Sequence, residues 1–314
     1  MPTMHVFHGL PGIAERHPCA LSIGNFDGVH RGHRALLQRV VEAARESGAT
    51  AAAMTFEPHP REFFAPEQAP ARIANLRDKI EGLRQVGIER VFVQHFNRDF
   101  ASLSPEQFIQ RILVEGCQAR ALLVGDDFRF GARRAGDVAL LRSFGASCGF
   151  RVEQIEQVQW NGERVSSSRI RGALSAGNLL LASELLGHAY SISGRVLHGS
   201  KLGRQLGFPT LNLRVAHRRP ALNGIYAVLV HGIRSRSLPG VASVGLRPTI
   251  DDSGRWLLEV HLFDFSEDVY GQLIRVQFVQ KLRDEERFDT VQELAAAIRR
   301  DADRARAIFD GATA

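Results

Sequence analysis

Lysine is nearly absent from this chain: of its 40 basic residues only Lys79, Lys201 and Lys281 are lysines, and the rest are arginines. A P-loop needs GxxxxGK[ST], and none of the three sits in one. Arginine stays charged and grips phosphate with a planar fork, so this cationic content suits anions held by geometry. Cysteine is scarce too. Cys19, Cys117 and Cys148 have no CxxC spacing and leave an odd count, which argues against a disulfide framework or a structural zinc and points to a reducing cytoplasm. No apolar run approaches the ~18 residues of a membrane span. No basic segment followed by an apolar one opens the chain, so neither a membrane partner nor a secretory leader is expected. Repeats and low-complexity segments are also missing.

What is present is ordinary globular material. At 314 residues with 44% hydrophobic content, two domains are expected rather than one core. The formal charge of +6 is modest and spread along the chain, which fits anionic small molecules. No basic patch with interleaved aromatics occurs, so nucleic acid is not expected as a partner. The sequence sets no oligomeric state.

Up to about residue 187 the pattern alternates. Strand-like runs cover residues 19–24, 50–56, 90–96, 119–125 and 150–158; helical patterns cover 34–47, 74–86, 104–115, 136–148 and 169–186. The helix at 104–115 has the clearest start, with Ser104 as cap, Pro105 in the first helical position and Gln107 completing a capping box. Such alternation predicts an α/β Rossmann-like domain with a parallel sheet covered on both faces. From Tyr190 to Leu282 the grammar changes to six β-like runs separated by turn residues, which predicts a small antiparallel six-stranded β-barrel. A C-terminal α-helix follows from about residue 291, capped by Thr290 with Glu293 and burying Val291, Leu294 and Ile298. The boundary falls near residues 187–190, giving domains 1–187 and 188–314.

In parallel sheets ligands bind beyond the carboxyl ends of the strands. Three loops fall on that edge: GNFDGVHRGH at residues 24–33, FEPHP at 56–60 and GDDFRFG at 125–131. The first is a glycine-punctuated turn opening a helix, a unit that aims backbone N–H groups and a helix dipole at an anion, most often phosphate. His30 and His33 stand beside that end as a phosphate clamp, a metal pair or incidental turn histidines. A metal would want further ligands, and the candidates are only Asp27 and the distant His59. VSSSRIR at 165–171 places three hydroxyls and two arginines at a helix start, more than one N-cap requires and with no acidic residue inside, which suits a polyphosphate. Plainer readings exist for the other two loops. Pro58 and Pro60 around His59 rigidify a loop, and Phe128 with Phe130 fills core.

These four motifs, in this order and spacing, resemble the FAD synthetase half of the bacterial bifunctional riboflavin kinase/FAD synthetase family. The second half continues the likeness through HGSKLGRQLGFPTLNL at 198–213, NGIYAV at 223–228, SVGLRPTI at 243–250 and LEVHLFDFSEDVYG at 258–271. The resemblance implies an N-terminal FMN adenylyltransferase that converts FMN and ATP to FAD and pyrophosphate, and a C-terminal kinase that phosphorylates riboflavin with ATP. It implies that His30 and His33 bind ATP phosphates as the catalytic HxGH pair, and that Gly24, Asn25, Phe26 and Asp27 form the turn beside the nucleotide. Ser166, Ser167, Arg169 and Arg171 then match the second phosphate-binding motif. Asp127 and Phe128 match a loop near nucleotide and flavin, with His59 and Arg129 as neighbours of the FMN phosphate or the ATP.

In the kinase half the resemblance makes Glu259 the catalytic base, whereas strand alternation equally allows it to face solvent. Thr210 and Asn212 match the positions that hold Mg²⁺ and the ATP phosphates, although the residues alone read Pro209–Thr210 as a turn. Gly199, Gly203 and Gly207 let the preceding loop approach phosphate. Leu246 and Ile250 depart from the family's usual SVGxRPT stretch and touch only loop packing. RDEERF at 283–288 resembles a segment near the flavin, without distinguishing Asp284, Glu285 and Glu286.

Overall fold

The computed structural model describes residues 3–199, 203, 206–215, 219–246 and 256–311. Residues 247–250 of the SVGLRPTI stretch, Ile250 among them, lie outside the described residues. The first part of the chain runs β1 (His5–His8), β2 (Cys19–Ile23), α1 (Arg31–Ser47), β3 (Thr50–Glu57), α2 (Pro60–Phe64), α3 (Leu76–Val86) and β4 (Arg90–His95). It continues with α4 (Arg98–Ala101), α5 (Pro105–Gln107), a π-helix (Phe108–Gly116), β5 (Ala119–Gly125), α6 (Val138–Cys148) and β6 (Arg151–Ile155). The six strands form one sheet in the order β1-β4-β3-β2-β5-β6, every pair parallel. β2 is central and every residue of it is buried. Its side chains alternate between two cores: Cys19, Leu21 and Ile23 meet Ile109, Leu113 and Leu122, while Ala20 meets Leu37, Val40 and Leu83. The strand order reverses between β2 and β5, and that switch point is where such sheets open a ligand crevice.

A hairpin of β7 (Gln159–Trp160) and β8 (Glu163–Arg164) precedes α7 (Ser167–Ser175) and α8 (Leu179–Leu186). A closed antiparallel barrel follows, built from β9 (Ser191–Leu197), β10 (Leu211–Arg214), β11 (Gly224–His231), β12 (Leu238–Leu246), β13 (Trp256–Leu262) and β14 (Leu273–Arg283). The chain closes with α9 (Val291–Gly311). By mutual contact the chain forms two compact units, residues 1–70 with 76–166, and residues 71–75 with 167–314. In the second unit the 71–75 segment is strapped down by backbone pairing of Arg72 with Arg219, by Asn75 donating to the Ser193 carbonyl at 2.9 Å, and by Arg171 donating to the Ala71 carbonyl at 2.6 Å.

Both predicted architectures are present, with local corrections. β1 is an additional four-residue edge strand. The predicted helix at 169–186 is two helices, because Gly177 takes a left-handed φ of 73° and Asn178 recaps the chain by accepting from the Leu181 amide. The predicted helix at 104–115 starts as expected, with its Ser104–Gln107 capping box, and then widens into the π-helix. Thr290 and Glu293 form the expected box at the last helix. Val291, expected inside, is 54% exposed. Leu294 and Ile298 are half-buried, and the fully buried residues are Ala297, Asp301, Ala302 and Ala305, of which the small Ala302 and Ala305 let α9 approach Ile225, Ala227 and Val241.

Candidate functional site

The loops after β2, β3 and β5 carry GNFDGVHRGH, FEPHP and GDDFRFG, all at the carboxyl edge of the parallel sheet as expected. Gly24 leaves β2 with its amide donating to the Met54 carbonyl. The turn then takes positive φ at Phe26 (46°), Gly28 (83°) and Val29 (39°). Phe26, Asp27 and Val29 are buried, and Asn25 Oδ1 is buried without a hydrogen-bond partner among the described residues. His30 is extended and caps α1, its Nδ1 accepting from the His33 amide at 3.3 Å. That bond leaves Nε2 as the protonated nitrogen of the neutral ring. The two imidazoles stack with centroids 3.6 Å apart, and Phe26 meets His33 edge-on at 5.4 Å. The pair is one rigid object at a helix N-terminus, a donor array suited to an anion. Among the described residues no cluster of three or more His, Cys, Asp or Glu side chains could hold a metal ion.

The neighbouring loops are less committed. His59 is buried and caps α2, accepting from the Arg61 amide at 3.1 Å, with Pro60 in the first helical position. Asp127 pairs with Arg164 at 3.1 Å and Arg129 with Asp137 at 3.3 Å, both on the surface. Phe128 stacks on the buried Phe130. Arg31 lies over the Trp160 ring at 4.3 Å, which ties the β7–β8 hairpin to the start of α1. Ser166 ends the first unit, while Ser167, Arg169 and Arg171 open α7 in the second.

Sequence reasoning missed an aromatic cluster on the same sheet edge. Phe56, Phe96 and Phe100 pack within 5.7 Å of one another, and Phe63 and Phe64 lean on Phe96 with 36% and 67% of their surface exposed. A cavity of about 580 Å³ opens beside Phe100, lined also by His8, Glu57, Gln94, His95 and Asn97. The signal was present as REFF, QHF and RDF at residues 61–64, 94–96 and 98–100, three short runs too far apart in the chain to read as one cluster.

A second constellation lies on the outer face of the barrel. Asn212 of β10 pairs directly with Glu259 of β13, which pairs with Ser243 of β12, so the three form one row across three strands. Leu258, Val260 and Leu262 alternate with Glu259 and fill the buried side. Asn212 donates through Nδ2 to the Thr210 carbonyl at 3.2 Å, while its Oδ1 is buried without a partner among the described residues. Gly199 packs so closely on the Asn212 amide that a Cβ would overlap it, and a Cβ at Gly203 would strike the Phe208 carbonyl. Gly207 takes a φ of 84° before FPTLN, where Pro209 is exposed and Thr210 half-buried. His261 holds that segment, its Nδ1 2.9 Å from the Pro209 carbonyl and its ring edge-on to Phe208. Of the three acids left undistinguished in RDEERF, Glu285 is the one at this row. Its carboxylate lies against Gly245 and accepts from the Ser243 hydroxyl; burial, with the nearby Glu259 charge, raises its pKa above the usual carboxylate value.

An anion turn at a sheet switch point, followed by a barrel bearing a carboxylate beside a glycine-rich loop, defines a two-site transferase acting on phosphate compounds. A family model for FAD synthetase matches residues 12–169, and one for riboflavin kinase matches residues 186–309. The bifunctional riboflavin kinase/FMN adenylyltransferase of Pseudomonas fluorescens is 47% identical over 97% of this chain and 98% of its own. The same-named protein of Escherichia coli K12 is 45% identical over 98% of each. A solved structure described as a macrolide-efflux protein from Streptococcus pneumoniae shares the fold at a TM-score of 0.74 and 29% identity, covering 98% of this chain and 99% of its own. The chain belongs to the bifunctional riboflavin kinase/FMN adenylyltransferase family. Its C-terminal part phosphorylates riboflavin to FMN with ATP, and its N-terminal part adenylylates FMN to FAD. Among the described residues no helix is long and apolar enough to cross a membrane.

Proposed function

We propose that the adenylyl donor ATP lies over the GNFDGVH turn and the start of α1, and that the kinase's ATP lies against the Asn212–Glu259–Ser243 row. The observation that carries this allocation is the row itself, a carboxylate paired across the ladder with an amide whose oxygen is buried and unpartnered among the described residues. In adenylyl transfer an oxygen of the FMN phosphate bonds to the α-phosphorus of ATP. The bond from that phosphorus to the bridging oxygen breaks and pyrophosphate leaves. The attacking phosphate is already ionised, so no general base is required.

Catalysis then rests on fixed donors aimed at developing charge. His30 and His33 supply such donors, while Ser166, Ser167, Arg169 and Arg171 carry the second phosphate-binding motif. Asn25 and Asp27 flank the nucleotide. His59, Asp127, Phe128 and Arg129 border the FMN or the ATP, and the Phe56–Phe96–Phe100 rings offer an apolar wall to the flavin ring system.

Riboflavin phosphorylation has a neutral alcohol as nucleophile. The ribityl 5′-hydroxyl bonds to the γ-phosphorus, its proton passes to the Glu259 carboxylate, the γ-phosphorus–oxygen bridge breaks, and ADP leaves. Gly199, Gly203 and Gly207 bring loop backbone close to the phosphates. The Asn212 amide oxygen and the Thr210 hydroxyl fit a hard, oxygen-seeking cation and would hold Mg²⁺, which neutralises charge on the β- and γ-phosphates when bound. We take 1–187 and 188–314 as the functional domains, with α7 and α8 counted to the adenylyltransferase; the FAD synthetase match ends at residue 169 and the riboflavin kinase match begins at residue 186. The free thiols of Cys19, Cys117 and Cys148 support a reducing, cytoplasmic setting.

Incubation with riboflavin, ATP and Mg²⁺, followed by chromatography of the flavins, tests the allocation. Glu259→Gln should lose riboflavin phosphorylation by about 100-fold or more while still converting supplied FMN to FAD. His33→Ala should lose FAD formation by about 100-fold, or ~3 kcal/mol, while FMN accumulates. If either change removed both activities from folded protein, the allocation would be wrong.

A further inference from the structure

The GNFDGVH turn is held in a conformation its own residues disfavour. Phe26 at φ 46° and Val29 at φ 39° are not glycines, and Val29 is β-branched. Each such residue costs about 1–3 kcal/mol and persists only where surrounding structure over-determines it. Here that surrounding structure is α3. Lys79 on this helix is 1% exposed and its Nζ donates to Thr55 Oγ1 at 3.2 Å. Thr55 Oγ1 donates in turn to the Asn25 carbonyl at 3.2 Å. A hydroxyl has one proton, and this one is given to Asn25, so its lone pairs face the lysine donor. One turn along α3, Gly82 has no side chain and Val29 fills the space: a Cβ there would meet Val29 Cγ2 at 2.9 Å and Cβ at 3.0 Å. The same turn ends at His30, whose extended backbone starts α1 and whose ring stacks on His33.

We infer that Lys79 and Gly82 are positioning residues for adenylyl transfer: α3 supports the turn at one end through Thr55 and at the other against Val29, and so fixes the imidazole pair and the α1 amides. The inference rests on the reading that this turn carries the ATP phosphates. Composition supports it as well. In a chain whose basic residues are arginine at all but three positions, the buried Lys79 is an exception, and a compact ammonium is not interchangeable with a planar guanidinium.

The test compares Lys79→Met, Lys79→Arg and Gly82→Ala in the full chain, at a temperature where circular dichroism gives complete folding. With Thr55 no longer held by Lys79, or with Val29 pushed by a new Cβ, the turn relaxes and displaces His30. FMN adenylylation should lose about 10- to 100-fold in kcat, with KM for FMN and riboflavin phosphorylation unchanged. Amide exchange should quicken at residues 25–30 and not in β2. Gly82→Ala keeps the test open if Lys79→Met does not fold, since it removes no charge. Unchanged kcat in both folded variants, or a loss matching only the unfolded fraction, would overturn the inference, and full activity in Lys79→Arg would overturn the need for an ammonium. His33→Ala runs alongside. If it leaves adenylylation intact, the turn does not carry the phosphates and both readings fall; if it alone is impaired, only the role of α3 does.

Discussion

His261 shows how one residue joins the chemistry of the barrel to its stability. It lies two positions beyond Glu259 on the same strand face and holds the FPTLN segment through the Pro209 carbonyl. Burial pushes its pKa below the ordinary 6.5, opposed by the bond to Pro209, with Arg306 lowering it further and Asp264 raising it. A site that disfavours the imidazolium contributes stability above the unfolded value. That contribution is lost as pH falls below about 6.5 toward and through the lowered native value. Urea unfolding of the barrel at about pH 7 and pH 5 should therefore show wild type losing more stability on acidification than His261→Gln. An equal loss in both would remove His261 from the account. The residue scale is also where the sequence was least legible. Glu259 could face water or ligand by alternation, and its partner in the row, Asn212, comes from a strand far away in the chain. Lys79 carries no motif, because what buries it comes from β3 and the turn, far away in the chain.

Elements were legible where a pattern repeats and illegible where one contact decides. β2 to β6 and the six barrel strands were visible as runs, whereas β1 is too short to carry a period and earns its place only by pairing with β4. The break between α7 and α8 turned on Gly177, which closes against Lys281 of β14. In α9 the apolar period suggested a stripe through Val291, yet the helix is fixed by Asp301, a charge no periodicity would put inside. Arg283 of β14 grips it with Nε and Nη2 at 3.1 and 2.7 Å, and Asp301 is 4% exposed. Removing one partner of such a pair strands the other, at a typical cost of ~3–5 kcal/mol. Asp301→Ala should lower the thermal midpoint of riboflavin phosphorylation by several degrees, and Asp301→Asn should do so less. A midpoint unchanged in Asp301→Ala would mean that the ion pair only decorates the α9 contact.

At the scale of the whole molecule, the chain links two reactions through one compound: the kinase product, FMN, is the adenylyl acceptor. The two sets of motifs were legible because phosphate chemistry demands glycine turns, paired imidazoles and hydroxyl–arginine clusters at fixed spacing. The phenylalanine cluster proposed for the flavin was not, because phenylalanines at a sheet edge resemble core. The division of labour makes a mixture informative. Glu259→Gln retains the residues assigned to adenylyl transfer, and His33→Ala retains those assigned to phosphorylation. Supplied with riboflavin, ATP and Mg²⁺, neither variant alone should form FAD at an appreciable rate. Mixed, they should form it after a lag, because FMN released by one chain is adenylylated by the other, and the lag should shorten as the proportion of His33→Ala rises. A mixture that builds up FMN but no FAD would mean that FMN must pass within one chain, and a mixture that makes neither would mean that each site depends on the intact residues of the other.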